Sequence, residues 1–125
     1  MHLFEAAIDL LSYATYLKCE GKDYKSENLL SLSGVYQPKK EIKDSKIPIA
    51  LTTFLNTNPH IKTIILHLDN DKTGRICTAT LKELLQKDYQ IVDDPPPVGK
   101  DFNDFLLSYL GIARPTVSRE RSDAR

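Results

Sequence analysis

Several features common in exported or membrane-bound proteins are missing from this 125-residue sequence. Its two cysteines, Cys19 and Cys77, are too few for a disulfide framework and lack metal-ligand spacing. The most apolar stretch, residues 61–68, is broken by Lys62 and falls well short of the roughly 20 residues that a membrane span needs. The amino terminus has no basic segment followed by an apolar core, so secretion is not indicated. We therefore expect a cytoplasmic protein with reduced thiols and no membrane contact.

An excess of one charge is also missing, because 17 lysine and arginine residues balance 17 aspartate and glutamate residues. The chain as a whole has no long-range attraction for nucleic acid or anionic membranes, so any polyanion binding must come from a local patch. The length and the apolar fraction of 41% are those of one soluble globular domain. We expect this domain to span residues 1–112 and the polar segment 113–125 to be a disordered tail.

Short apolar segments alternate with segments of helical periodicity along the chain. The clearest, Ile61 to Asp69, is β-branched, nearly continuous in apolarity and too short for a helix, which is typical of a central strand in a parallel sheet. The other predicted strands are 1–4, 29–35 and 89–92, and the predicted helices are 6–18, 47–55, 74–87 and 101–110. This order predicts an α/β, Rossmann-like fold of about four mostly parallel strands with helices on both faces.

Two of the predicted helices have a defined inner face. In the first, we expect the side chains at three- and four-residue spacing to face the sheet: Ala7, Leu10, Leu11, Ala14 and Leu17. In the third, we expect Thr73 to cap the amino terminus. The inner face of that helix is predicted to hold Ile76, Cys77, Thr80, Leu81, Leu84 and Leu85. A polar stretch with lysines at 39, 40, 43 and 46 is predicted to be a surface loop.

Acidic residues follow the predicted strands. Glu5 follows the first strand, Asp69 and Asp71 follow the third, and Asp101 lies beyond the fourth. The carboxyl ends of parallel strands share one edge, where ligands bind. Residues two apart in extended chain point the same way, so Asp69 and Asp71 would face one volume of solvent. Because magnesium prefers such oxygen ligands together with phosphate and water, the pair predicts a Mg²⁺ site, with Mn²⁺ as an alternative ion.

The residues after this pair add chemistry suited to phosphate. Thr73 and Gly74 open a helix whose exposed amides and dipole favour an anion. Lys72 and Arg75 place positive charge at the same helix end. We therefore expect these four residues to bind phosphate or nucleic acid beside the metal.

Three segments carry a resemblance to a known family. The segment from His67 to Arg75 resembles the Asp-x-Asp motif of Toprim domains, which occur in primases, topoisomerases and some nucleases. The segment from Phe4 to Asp9 resembles the first Toprim motif, and Gly99 to Asp104 resembles the third acidic motif of primase-type Toprim domains. The match covers residues 1 to 111, with the motifs in the family's order. The amino-acid sequences of these segments most resemble those of Toprim-like domains in primase- or mobilisation-type proteins from bacterial mobile elements.

The resemblance implies a role for several residues. Glu5 matches the family's catalytic glutamate, and Asp69 and Asp71 match its magnesium ligands. Asp101 matches an acid that can support a second ion, although Asn103 replaces an acid that primases often have. Lys100, in the third motif, is expected to contact phosphate. The implied function is primase-like nucleotidyl transfer on DNA or RNA with nucleotides as substrates, in a longer parent protein whose upstream domains would be partners.

Other interpretations stay open from the sequence. The same fold can serve as a non-catalytic module that binds magnesium and nucleic acid or docks a partner domain, or as a Toprim-type nuclease. His67 is expected to be packed in its strand rather than to bind metal. Asp9 is interpreted as a solvated or capping residue, and Asp93 and Asp94 as part of a polar turn.

Overall fold

The computed structural model describes residues 1–32 and 46–112. Within these ranges, strands and α-helices alternate along the chain, with a short 3-10 helix at Tyr24–Ser26. The strands are β1 (His2–Phe4), β2 (Leu29–Ser31), β3 (Thr63–Leu66) and β4 (Gln90–Asp93), and the helices are α1 (Ala7–Cys19), α2 (Ile49–Thr57), α3 (Lys72–Leu85) and α4 (Phe102–Tyr109). The predicted tail and most of the predicted lysine-bearing loop lie outside the described residues.

The four strands form one sheet in the order β2-β1-β3-β4, and every pair in it is parallel. This confirms the predicted α/β, Rossmann-like architecture. The connection from β1 leads outward to β2, whereas the connection from β3 leads outward in the other direction to β4. The order therefore reverses between β1 and β3, and the crevice beyond their carboxyl ends is where such a sheet binds ligands.

One face of the sheet is covered by aliphatic side chains. Neighbouring residues of a strand point to opposite faces, and Leu3, Ile64 and Leu66 point to this one. Helices α2 and α3 cover it. The buried cluster that they complete consists of Leu51, Leu55, Ile61, Leu68, Cys77, Leu81 and Leu85.

The opposite face is aromatic and is covered by α1 and α4. Phe4 meets Tyr13 of α1 and Phe102 of α4, with ring centroids 5.3 Å and 6.0 Å away. Tyr13 and Phe102 are themselves in edge contact at 5.3 Å. The His67 ring lies among these three rings, fully buried, so the expectation that it is packed agrees with the structure.

The predicted inner face of α1 is correct at Leu17, which is buried, and wrong at Ala7 and Leu11, which are exposed. Leu11 is 61% exposed, whereas Asp9 and Ser12 are buried at 4% each, so the helix is rotated from the apolar-face prediction. The physical reason is that the covered surface near the carboxyl edge of the sheet is polar, and α1 contributes its polar residues there. In α3, Ile76 is likewise 49% exposed rather than inward-facing, while the other predicted inner positions are at least half-buried.

The amino terminus of α3 also differs from prediction. The N-cap is Asp71, whose Oδ1 accepts a hydrogen bond from the Gly74 amide at 2.7 Å, so the prediction of Thr73 as the cap is wrong. Thr73 is exposed in the first turn. Among the described residues, no helix has both the length and the apolarity to cross a bilayer.

Candidate metal centre

Three elements converge on the crevice beyond β1 and β3. Glu5 follows β1 directly, and Asp9 lies one turn further on in α1. Asp69 follows β3 after two buried residues. Asp101 is the N-cap of α4, where its Oδ1 accepts a hydrogen bond from the Asp104 amide at 2.8 Å. The β4–α4 loop is held against the end of β3 by a backbone hydrogen bond of 2.6 Å from the Asn70 amide to the Lys100 carbonyl.

Asp9, Asp69 and Asp101 form the tightest group of carboxylates in the described part of the chain. One oxygen from each lies within 4.8 Å of the others. The side chain of Asp9 is further held in place by a hydrogen bond of 3.3 Å, which the backbone amide of Asn103 donates to Oδ1 of Asp9. The Asn103 side chain meets Ser12 at 3.4 Å, so α4 and α1 are joined beside the carboxylates. Three hard oxygen donors at this separation suit a divalent cation such as Mg²⁺.

The electrostatics of the group show that its charge is uncompensated. Burial, with repulsion from Glu5, Asp9 and other acids, raises the pKa of Asp69 to about 7. Burial, with repulsion from Asp101 and others, raises the pKa of Asp9 to about 6. A cation placed among these oxygens would remove the repulsion and favour the ionised forms. The donor set therefore fits a divalent metal ion.

Glu5 lies beside this group with one oxygen unsatisfied. Its Oε2 is buried and has no hydrogen-bond partner among the described residues. Burial raises the pKa of Glu5, and a hydrogen bond from the Asp69 amide opposes that rise. A buried acceptor without a partner costs free energy, so such an atom is a sign of a site that is completed by a ligand.

Asp71 lies at the same edge but is already engaged. One of its oxygens caps α3, and the other is 3.7 Å from the Lys100 ammonium. The structure thus brings Asp69 together with Asp101 and Asp9, while Asp71 and Lys100 form an adjacent ion pair. The Lys100 charge also lowers the pKa of Glu5, against the larger effect of burial.

The predicted phosphate-binding residues of α3 differ from one another in exposure and in their contacts. Lys72 and Thr73 are exposed in the first turn of α3. Gly74 is buried against the end of β3, where a Cβ atom would lie 1.9 Å from the Asp69 carbonyl oxygen, so only glycine permits this close approach. Arg75 donates to both carboxylate oxygens of Asp93, at 3.0 Å and 2.9 Å, and joins α3 to β4. Asp93 is therefore an ion-pair partner at the end of β4, rather than part of a polar turn.

Asp9 is the residue that the sequence interpretation missed. It is neither solvated nor a cap, because it is buried and faces Asp69 and Asp101. A weak signal was its position in the first turn of the helix that follows β1, close to the carboxyl edge of the sheet. That signal was hidden because the apolar residues of α1 indicated another inner face.

The fold and the site together define an α/β domain with an acidic centre at the switch point of a parallel sheet. The sequence model of the Toprim-like family matches residues 2–106. The chain therefore belongs to the Toprim-like family, and its fold is the Toprim fold. Membership indicates a metal-dependent module that processes nucleic acid, and the acidic triad is consistent with this.

Comparison with individual proteins adds little to the family assignment. A solved structure of a protein from Aquifex aeolicus is similar at 20% sequence identity, with a TM-score of 0.47. The similarity covers 91% of this chain and 80% of that one. No curated protein matches the chain.

Proposed function

We propose that this chain is a magnesium-dependent catalytic module acting on nucleic-acid phosphodiesters, and that its reaction is primase-like nucleotidyl transfer. The observation that carries the proposal is the unpartnered, buried Oε2 of Glu5 beside the three clustered carboxylates at the switch point. A purely structural acidic edge gains nothing from burying an unsatisfied oxygen, because that oxygen loses its hydration.

Asp9, Asp69 and Asp101 would hold the metal ion, which we propose is Mg²⁺, with Mn²⁺ able to replace it. The bound ion would neutralise charge on a reacting phosphate and orient it. Asp71 stands next to this set and would enter it only by giving up its contact with Lys100. The sequence resemblance implied Asp69, Asp71 and Asp101 as ligands; the proposal keeps Asp69 and Asp101, adds Asp9, and leaves Asp71 outside the set.

Glu5 would be the proton-transfer group. In nucleotidyl transfer the hydroxyl of a primer end attacks the α-phosphorus of a nucleoside triphosphate, pyrophosphate leaves, and the hydroxyl proton must be accepted. The raised pKa of Glu5, caused by burial, makes its carboxylate a better proton acceptor than an exposed glutamate. Its unpartnered oxygen has no internal bond to break before it accepts.

Nucleic-acid phosphates would be contacted first by the exposed lysines, Lys72 and Lys100. The Thr73 hydroxyl is exposed on the same helix end. The Gly74 amide and the Arg75 guanidinium would join only after release from Asp71 and Asp93, which occupy them in this structure. Nucleotides and a DNA or RNA strand are therefore the proposed partners, together with upstream domains of a longer protein.

That occupancy favours a second candidate function, a non-catalytic module that binds metal and nucleic acid or docks a neighbouring domain. Two of the groups that would read a phosphate, the Gly74 amide and Arg75, are paired with carboxylates of the chain itself. A module of this kind needs the metal ligands but has no use for a proton acceptor. The two candidates therefore differ most at Glu5.

The test is Glu5→Gln, which keeps the size of the side chain and removes the ionisable group. Wild type and variant are assayed with a single-stranded template, nucleoside triphosphates and Mg²⁺, in the full chain joined to any domains that precede it. We expect primer extension to fall by about 100- to 10,000-fold, the usual contribution of a general acid or base. Strand binding should change little, since phosphate contacts come from other residues.

The matched control is Glu83→Gln, an exposed glutamate on α3. It should leave both extension and binding unchanged. Wild-type turnover in Glu5→Gln would remove the catalytic assignment of Glu5. Binding without turnover in the wild type would favour the docking module, and metal-dependent strand cleavage in place of extension would favour a nuclease.

A further inference from the structure

A line of hydrogen bonds, formed by three side chains and one backbone carbonyl, crosses the aromatic face of the sheet and touches all four strand segments. Glu27, just before β2, meets His2 of β1, with Oε1 2.7 Å from Nε2. His2 Nδ1 is 2.7 Å from Nε2 of His67, which follows β3. His67 Nδ1 is 2.8 Å from the carbonyl oxygen of Asp94, which follows β4. We refer to these four residues as the cross-sheet chain.

The two imidazoles are bonded edge to edge. Their planes are parallel within 3° and their centroids are 5.0 Å apart, yet the facing nitrogens are only 2.7 Å apart. Rings related in this way point nitrogen at nitrogen, so the contact needs a proton between them. Both rings are nearly inaccessible to solvent, and water cannot take the place of that proton.

The three contacts of the cross-sheet chain need three protons, one more than its neutral imidazoles and ionised carboxylate supply. The Asp94 carbonyl only accepts, so His67 Nδ1 carries hydrogen and a neutral His67 offers Nε2 as an acceptor. His2 Nδ1 must then donate to His67. The third contact, between His2 Nε2 and the Glu27 carboxylate, requires one more proton than two neutral imidazoles and a carboxylate supply.

The extra proton belongs at the Glu27 end. The Glu27 carboxylate lies 2.7 Å from His2 Nε2, whereas the Asp94 carboxylate is 3.5 Å from His67 Nδ1, so the closer carboxylate is the partner of His2. Glu27 is the partly exposed member, with a side chain 41% accessible, and its charge stabilises a protonated His2. Without the extra proton two lone pairs face each other at 2.7 Å, and one contact must open.

We propose that the cross-sheet chain is a proton-binding site shared by His2 and Glu27, and that the bound proton fastens the Tyr24–Glu27 segment to the sheet. The charged and titratable groups that face the His2 ring are Glu27, Asp94, His67, the hydroxyl of Tyr13 on α1 and the Met1 ammonium. Burial lowers the pKa of His2, so the proton is taken up as the pH falls below the ordinary range of histidine.

Glu27→Gln separates proton binding from a simple ion pair. A glutamine amide can donate to His2 Nε2, so all three contacts form with neutral groups and the extra proton is no longer needed. The variant should keep the segment fastened at every pH, whereas the wild type should loosen as the pH rises. If the contact is only a charge pair, the same substitution weakens it at every pH.

The measurement is hydrogen exchange at the Ser26 and Glu27 amides, which bond to the Asp23 and Tyr24 carbonyls. In the full chain, the protection factors of these amides, corrected for the pH dependence of intrinsic exchange, should fall in the wild type by about 2- to 12-fold between pH 5 and pH 8. This range corresponds to the net free energy of one hydrogen bond. Glu27→Gln should show no drop and should exceed the wild type at pH 8. Glu27→Ala, which has no partner for His2, should be loose at both pH values.

Asp23→Asn is the matched control, because it removes the same charge from the residue that caps this segment and keeps the acceptor oxygen that bonds the Lys25 amide. It should retain the wild-type drop. The proposal is overturned if Glu27→Gln keeps the wild-type pH dependence, or if it is less protected than wild type at pH 8. It is equally overturned if Glu27→Ala behaves like Glu27→Gln.

Discussion

At the scale of single residues, Asp9 is the residue whose position in the structure differs most from its interpretation in the sequence. It is a buried acid whose only side-chain hydrogen bond within the described part of the chain, from the backbone amide of Asn103, satisfies one of its two oxygens. Its burial is unfavourable unless something compensates the charge. The proximity of Asp69 and Asp101 is compatible with compensation by a cation.

We expect Asp9→Asn to lose most of the stabilisation by Mg²⁺ while keeping the fold, because asparagine Oδ1 can still accept from Asn103. A metal that binds the folded state alone stabilises by about 1.4 kcal/mol at ten times its Kd. The measurement is the shift in melting temperature on adding Mg²⁺. Asp88→Asn, an exposed acid between α3 and β4, at the opposite edge of the sheet, is the control. Equal shifts in both variants would contradict a role for Asp9.

Asp69 gives a prediction about pH in the absence of metal. Its folded pKa of about 7 is raised above the unfolded value of 3.8, so the folded state holds the proton more tightly. The stability from this group is fully present below pH 3.8 and is lost as the pH rises to about 7. Urea unfolding of metal-free protein should show this decline, and Asp69→Asn should flatten it. A decline of the same size in Asp69→Asn would assign it to other groups.

At the scale of elements, the amino terminus of α3 shows how capping and metal chemistry are divided. Asp71 bonds the Gly74 amide and so satisfies one of the unpaired donors that begin every helix. Asp69, two residues earlier, is left to face the carboxylate group. The spacing of two positions between Asp69 and Asp71 suggested two metal ligands. In the structure, Asp71 is a helix cap and Asp69 is a residue of the candidate site.

Substitutions at Asp71 separate these roles. Asp71→Ala should destabilise the fold by about 0.5–2 kcal/mol through loss of the cap, whereas Asp71→Asn should cost little because asparagine caps equally well. Thr73→Ala is the comparison, since Thr73 is exposed and makes no cap; it should leave stability unchanged. Urea unfolding measures all three. A larger loss from Thr73→Ala than from Asp71→Ala would reverse the assignment of the cap.

The elements themselves were largely predictable, because their signals are local. The β-branched run ending at Asp69 and the stop at Gly111 depend on neighbouring residues, and β3 and α4 formed where those patterns indicated. The orientation of α1 was not predictable from periodicity, since its buried face is set by α4, about 90 residues away. Because α1 and α4 pack against each other over aromatic rings and acids, they can bury polar side chains that an isolated helix would leave exposed to solvent.

The same distinction applies to the site. Glu5, Asp69 and Asp101 follow strands or begin a helix, and that position is readable from the alternating pattern. The engagement of Arg75 with Asp93 was hidden because it depends on the register of β3 with β4, which brings Leu66 beside Asp93. Contacts set by register become visible only in three dimensions.

At the scale of the whole molecule, the balance of charge limits how it meets a polyanion. With zero net charge, attraction of phosphates depends on local cations, and among the described residues two lie at the carboxyl edge beside the acids. Lys72 and Lys100 are exposed there, next to a group of acids that would repel a strand in the absence of metal. Binding should therefore depend on few contacts and on a divalent ion.

We expect the affinity for single-stranded DNA, at fixed Mg²⁺, to fall with a slope of about −1.4 in log K against log salt, as for two neutralised phosphates. Lys72→Ala and Lys100→Ala should each reduce that slope by about 0.7. Lys87→Ala, an exposed lysine that follows α3 toward the other edge, is the control and should leave it unchanged. A slope of about −4 or steeper in log K against log salt would indicate phosphate contacts in addition to those of these two lysines.

The packing of α4 against α1 has a consequence for how the protein is made. Within this domain, Glu5 and Asp9 are synthesised about 90 residues before Asp101 and the Asn103 backbone amide that bonds Asp9. Until the last helix docks, the polar side of α1 has no cover and the carboxylates have no third member. Domains of this size fold as units during synthesis. The nascent chain therefore cannot bring the carboxylates of the candidate metal centre together until nearly all of the domain has emerged.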